Sequence, residues 1–336
     1  MVALITGGAG FIGSHVARRC LERGLDVIVL DDLSGGFVSN IPEKAKFIEG
    51  SFLDEVLIKK IFDEYPIQYV YHLGAYAAEG LSHFIRKFNY TNNLCGSVLL
   101  INAAINSGKV ERFIFTSSIA VYGGGQLPMN EETIPYPEDP YGISKYAVEL
   151  DLQAAHKMFG LEYTIFRPHN VYGEHQHIGD RYRNVIGIFM NEVLNKRPMP
   201  IFGDGSQTRA FSYIDDISGI LSNCIQNKNT VNQIYNIGSD EVHTVLETAS
   251  LIAEAFDVKG DFLFLEARNE VLHAYSQHKK LHRDFGGTKS TPLREGIFRM
   301  AEWVKQKGPQ SRTIFTGIEV EKNLPAIWKH ALPKKN

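Results

Sequence analysis

The 336-residue sequence predicts an α/β fold, a doubly wound parallel sheet carrying a smaller C-terminal α/β domain. Three observations predict it. Short apolar runs alternate with helix-period segments through the first half. A glycine triplet, Gly7, Gly10 and Gly13, lies between the first apolar run and the first helical segment. After about residue 168 the rhythm loosens, and His, Gly, Asn and Pro become frequent. Alternating strands and helices build a parallel sheet covered on both faces, which binds ligands at the carboxyl ends of its strands.

Taken in order, VALI (2–5) reads as a strand and FIGSHVARRCLER (11–23) as a helix. DVIVL (26–30) and KFIEG (46–50) are strands, and DEVLIKKIFDE (54–64) is a helix. IQYVYHL (67–73), RFIFTS (112–117) and EYTIFR (162–167) are strands, separated by helices over 91–107 and 141–158. Helical patterns return at 186–196, 215–227 and 243–256. The expected division is a dinucleotide half over 1–168, joined by about 211–236, and a second domain over 169–210 and 237–307. Residues 308–336 run past the final amphipathic helix. Their IFTGIEVEKNLPAIW is apolar enough to dock on the body, with no readable role.

Composition narrows the partners. Lys+Arg total 35 against Asp+Glu 38, a net charge of -3, with no basic block, so nucleic acid and anionic membranes are not expected. Three widely spaced cysteines, Cys20, Cys95 and Cys224, suggest a reduced compartment without a disulfide framework. No apolar run spans a bilayer, and the N-terminus enters a strand without a basic leader, so a cytoplasmic protein is expected. His169, His175 and His177 cluster, but their spacing matches no common zinc site, and no metal is expected.

TGGAGFIGS places its glycines where a dinucleotide pyrophosphate meets a helix N-terminus, the arrangement of a Rossmann-type fold. Asp31 and Asp32 end the second strand, where an acid accepts from ribose hydroxyls and repels a 2′-phosphate. No arginine occurs from 31 to 59, so the expected cofactor is NAD rather than NADP. YGISK (141–145) puts Tyr141 and Lys145 at i and i+4 on one helix face. The pair Tyr275 and Lys279 has the same spacing but no supporting context. Removing hydride from a carbinol also requires removing the hydroxyl proton. Free tyrosine, with pKa about 10, does this poorly until a lysine ammonium and a positive nicotinamide favour phenolate. Ser118, ending the strand before the Pro-rich loop IPYPEDP, would hold the same hydroxyl.

With TGGAGFIGS, DDLS, HLGAYA, NNLCGS, TSSIAVYG, YGISK, RPHNVYG and GDGSQTRAFSYIDD in order, the chain resembles extended short-chain dehydrogenases/reductases of the nucleotide-sugar epimerase/dehydratase family. The resemblance reaches to about residue 305. It implies Ser118, Tyr141 and Lys145 as catalytic residues. It implies cofactor contacts from Gly7, Gly10, Phe11, Ile12, Gly13, Asp31 and Asp32, and from Ser51 and Phe52. It adds Leu73, Gly74, Ala75, Asn93, Thr116, Tyr141, Lys145 and Pro168, with Arg167 beside Pro168 near the nicotinamide. Substrate contacts fall to Ser118, Tyr141, Asn170, Asn184, Pro200, Phe202, Arg209 and Arg268. A homodimer paired through the helix 91–107 is also implied.

Three departures stand out. Gly50-Ser51 replaces the usual Gly-Asp, Gly187 stands where proline is common, and Arg268 lies one place off the usual arginine. The resemblance also implies that the residue two before the tyrosine of VYG reports the chemistry. It is glutamate in dehydratases and decarboxylases, and cysteine in 3,5-epimerases. Here it is Ala120 beside Ile119, and neither moves a proton. The leading expectation is therefore an NAD-dependent 4-epimerase acting on a UDP-sugar, UDP-glucose/UDP-galactose by default. Alternatives are a 4-dehydrogenase, a dehydratase using Glu79 or Tyr76 as its missing acid, a 3,5-epimerase, or a non-catalytic NAD-binding regulator. The resemblance also puts Ala274 at the place that gates the sugar C2 substituent, which implies room for an acetamido group. A one-residue slip would put Tyr275 there instead.

Overall fold

A computed structural model describes residues 1–267, 271–287 and 290–329. Its core is a seven-stranded, wholly parallel sheet. The first six strands are β1 (Val2–Thr6), β2 (Asp26–Asp31), β3 (Lys46–Glu49), β4 (Ile67–His72), β5 (Arg112–Thr116) and β6 (Tyr163–Pro168). The spatial order is β3-β2-β1-β4-β5-β6, closed by Gln233–Ile237. The order reverses beside β1, which opens a crevice at the strands' carboxyl ends.

Both faces of the sheet are covered. On one, Ile58, Ile61 and Phe62 of α2 (Glu55–Glu64) pack with Leu100 and Ile101 of the helix Gly96–Ser107. Val148 and Leu152 of the helix Pro140–Phe159 complete that layer. On the other face, Val16, Ala17 and Cys20 of α1 (Phe11–Glu22) meet Ile217 and Leu221 of the helix Ile214–Asn223. Central strands buried on both sides need continuous apolar runs, and β5 is buried along its whole length.

Two of the departures from the sequence expectation lie in the sheet half. The helix expected over 215–227 stops at Asn223, and short 3₁₀ turns lead into the edge strand Gln233–Ile237, which was not singled out. A five-residue strand whose apolar residues, Ile234, Tyr235 and Ile237, neither alternate nor form one run gives periodicity little to work on. The segment 91–107 opens with a π turn, Thr91–Cys95, before becoming α-helical at Gly96.

The second body is packed around Phe189, Met190, Ile252 and Met300, from the helices Val185–Leu194, Val245–Ala255 and Leu293–Lys307. A capping box between Thr244 and Glu247 starts the second of these. Met199–Phe202 pairs in parallel with Phe262–Leu265, and Thr208–Ala210 lies between Val242–Thr244 and His273–Ala274. The chain after Gly308 crosses back over the body and anchors through buried Leu324 and Trp328. Among the described residues no helix is long and apolar enough to cross a membrane.

Candidate active site

A cavity of about 600 Å³ opens along the carboxyl ends of β1, β2, β4, β5 and β6. Its floor is the glycine turn. Gly7 has φ +70°, and a Cβ there would lie 2.7 Å from the Gly74 Cα. A Cβ on Gly13 would lie 2.1 Å from the Gly7 carbonyl oxygen. No side chain fits at either place, so backbone lines a smooth cradle. Gly10 caps α1 without a side-chain bond, and no acid occupies the helix's first turn. The first N–H groups and the positive helix end are left for an anion.

Asp31 closes β2 with both carboxylate oxygens engaged. Oδ2 accepts from the Ala9 N–H (3.0 Å) and Oδ1 from the Leu33 N–H (2.8 Å). Burial raises its pKa, while those N–H groups work to lower it. Phe11, Ile12, Asp32, Phe52, Leu73, Ala75 and Pro168 line the same cavity. Ser51 and Asn93 do not appear on its wall. The Ser51 hydroxyl accepts from the Leu53 N–H within its own turn. The Asn93 amide clamps the backbone of Tyr76 (2.9 and 3.1 Å), so it shapes the loop after β4 from behind. Arg167 also turns away from the cavity. Its guanidinium is spent on buried Glu149 and on the Tyr122 hydroxyl (2.7 Å).

The end of β5 and the start of the helix Pro140–Phe159 meet on the cavity wall. Asp139 caps the helix Pro140–Phe159 through the Gly142 N–H (3.0 Å), and Pro140 occupies its first turn. That cap places Tyr141 on the same stretch of cavity wall as Ser118, whose hydroxyl works to lower the phenol's pKa. Burial raises the Tyr141 pKa, with Glu79 and Asp139 adding to the rise and Arg183 opposing it. One turn on, Lys145 donates to the Thr116 carbonyl (2.8 Å). Burial lowers its pKa to about 7, against the pull of Glu149. Burial thus holds both members toward their uncharged forms, and added positive charge beside the phenol would favour phenolate.

Across the cavity stand Asn170, Asn184, Pro200, Phe202 and Arg209. Asn184 also caps the helix Val185–Leu194. Arg209 donates to the Val271 and Leu272 carbonyls (2.7 and 2.8 Å). Arg268 lies outside the described residues. Ala274 is on the wall, whereas Tyr275 is not, and its carbonyl accepts from the Met129 N–H. Ala120 lines the cavity near Ser118, and Glu79 and Tyr76 line it too. The three loop histidines disperse, His169 to His278 (3.1 Å), His175 to Asn40 (2.9 Å) and His177 to Thr313 (3.2 Å).

A family model, "NAD dependent epimerase/dehydratase family", matches residues 3–238. The chain belongs to this family. A Methanocaldococcus jannaschii protein, described provisionally as a UDP-glucose 4-epimerase, is 34% identical over 305 residues, covering 90% of this chain and 98% of its own. A human dTDP-D-glucose 4,6-dehydratase is 31% identical over 335 residues, covering 94% of this chain and 93% of its own. The solved structure of Thermotoga maritima UDP-glucose 4-epimerase with UDP-glucose superimposes with TM-score 0.87 at 33% identity, covering 91% of this chain and 99% of that one. The family is NAD-dependent, and the glycine cradle with Asp31 fits that cofactor.

The wall residues that sequence reasoning did not single out include Arg183, Arg312, Ile327 and Trp328. The last three come from the segment after Gly308, whose apolar run signalled docking but not its destination. Sequence reasoning also missed Asp139, although Asp-Pro ahead of a helical pattern is a start signal.

Proposed function

We propose that this family member is a nucleotide-sugar 4-epimerase of the UDP-glucose/UDP-galactose type. The observation that carries the reading is the wall around the phenol: Ser118, Tyr141 and Lys145 converge there, and the neighbouring position is Ala120. NAD, when bound, supplies a hydride acceptor for C4 and a positive charge beside the phenol. Ser118 holds the C4 hydroxyl by hydrogen bond. Tyr141 takes its proton, and the Lys145 charge favours the phenolate. A 4-keto sugar then turns within the cavity. Tyr141 returns the proton once the other face is presented. The cycle has no net redox, so the cofactor has no need to leave.

Asn170, Asn184 and Arg209 are proposed to meet the diphosphate, and Pro200 and Phe202 the base. Ala274 on the wall supports acceptance of N-acetylated sugars. Pairing of two chains through the segment 91–107 is proposed, and exposed Ile143 and Leu150 on the neighbouring helix Pro140–Phe159 would extend that face. A cytoplasmic location agrees with the free cysteines.

The second reading is a dehydratase, favoured by Glu79 on the cavity wall. Dehydratases need an acid/base for the C5 proton and the leaving hydroxyl. Substrate deuterated at C4 separates the two. An epimerase returns the label to C4, takes no solvent deuterium at C3 or C5, and loses no water. Solvent deuterium at C5, or a product lighter by one water, would overturn the proposal and turn attention to Glu79.

A further inference from the structure

Arg183 spans the cofactor crevice. Its Nη2 rests where a Cβ on Gly35 would be, 2.8 Å away, so it lies against the loop that follows β2. Its guanidinium also covers the ring of Tyr76, in the loop that follows β4, at 5.2 Å. These two loops flank β1, and the glycine turn lies between them. Gly36 presses on that turn from the same side, where a Cβ would come within 2.6 Å of the Ala9 carbonyl carbon. Gly10, Asp31, Gly35, Tyr76 and Arg183 line one cavity. A guanidinium placed between the two loops that flank the glycine turn is within the same cavity as that turn, and a guanidinium suits phosphate oxygens bidentately.

The guanidinium is aimed from behind. Asp180 accepts from Arg183 Nε (2.8 Å) and from the Tyr182 N–H (3.0 Å). The loop holding Asp180 is in turn strapped by the chain's last segment. The Thr313 N–H donates to the Gly179 carbonyl (2.9 Å), and Gln310 exchanges two bonds with Asn191. Arg312 pairs with Glu192, and Trp328 packs edge-on against Tyr182 at 5.2 Å. The strap then crosses to the other side of the cavity. Phe315 contacts Tyr76 and Phe88, and Glu319 accepts from the Lys87 and Phe88 N–H groups (2.7 and 2.8 Å). The archaeal relative and the Thermotoga enzyme use nearly all of their own length against nine-tenths of this chain. The remaining tenth is about as long as the segment after Gly308.

We infer that Arg183 is a latch on the diphosphate of the bound dinucleotide, and that the C-terminal strap holds the latch shut. The consequence is slow loss of NAD.

The test is retention of radiolabelled NAD by the purified full-length protein, timed after a chase with excess unlabelled NAD. Arg183→Gln should release NAD roughly 10- to 100-fold faster, the worth of a charge-assisted hydrogen bond expressed as a rate. Arg183→Lys should fall between. Gly35→Ala keeps the arginine but displaces its guanidinium, so it should speed release without touching the charge. Trp328→Ala should act in the same direction through the strap. Melting of each cofactor-free variant at the wild-type temperature separates latch loss from misfolding. Wild-type release from Arg183→Gln and Gly35→Ala overturns the latch. So does an unchanged release rate with a raised KM for UDP-glucose, which would give the guanidinium to the substrate diphosphate. Fast release from Arg183→Gln alone, with Trp328→Ala behaving as wild type, overturns the role of the strap.

Discussion

Arg167 grips both carboxylate oxygens of Glu149, one helical turn beyond Lys145, in a pair that is almost wholly buried. The guanidinium reaches from β6 to the helix that carries Tyr141, and the Tyr122 hydroxyl takes its remaining edge at 2.7 Å. Strand and helix are therefore fixed to one another behind Tyr141 and Lys145. Removing one partner leaves an uncompensated buried charge, so we expect Arg167→Met to cost about 3–5 kcal/mol of stability. Urea unfolding measures this. A loss below about 1 kcal/mol, the level of an exposed pair, would show that the buried pair is not structural.

Tyr141→Phe should lower turnover by about 10²–10⁴-fold, the usual worth of a positioned proton carrier. Cofactor content should stay at the wild-type level, because the glycine cradle does not involve the phenol. Near-normal turnover would remove Tyr141 from the proposed mechanism.

NAD should bind better than NADP to the cofactor-free protein. The Asp31 carboxylate, held by the Ala9 and Leu33 N–H groups, has no freedom to retreat from a 2′-phosphate. Asp31→Asn should narrow the preference by about tenfold, or 1.4 kcal/mol. Equal affinities in the wild type, measured by titration calorimetry, would contradict this.

Acid should weaken the fold through His72. Its ring is fully enclosed between Thr6 (2.7 Å) and Ser97 (2.8 Å), and burial lowers its pKa from 6.5 to about 3. Between those values the unfolded chain binds a proton that the folded chain does not. Stability is therefore complete above pH 6.5 and falls as the pH drops toward 3. Each such histidine adds about 1.4 kcal/mol per pH unit to that slope. His169, lowered to about 3 by burial and by its neighbour His278, contributes in the same direction. Urea midpoints of His72→Asn between pH 7 and pH 4.5 should show a shallower slope than wild type. An unchanged slope would rule His72 out as a contributor.

The glycine turn, the acid ending β2 and the Tyr-x-x-x-Lys pair were legible because each is a local pattern with one backbone consequence. Spacing alone could not separate Tyr141 from Tyr275, since both precede a lysine by four. Position in the fold separates them: Tyr141 begins a capped helix facing the end of β5, while Tyr275 is off the cavity wall. Arg167 and Asn93 show the opposite failure. Both fall beside cavity residues in sequence, yet their side chains point behind the wall, because neighbouring residues on a strand or helix face different ways.

By itself the sequence determined the parallel sheet, the glycine turn and the Tyr-x-x-x-Lys pair that we propose moves a proton. These depend on periodicity, on glycine's missing Cβ and on side-chain chemistry, all properties of short stretches. Tertiary structure alone decided that Arg183 meets Gly35 and Tyr76, and that the segment after Gly308 returns to the cavity. Those contacts join residues more than a hundred positions apart. No local pattern encodes them, because they exist only once the second body has packed against the sheet and brought the two loops within reach of one guanidinium.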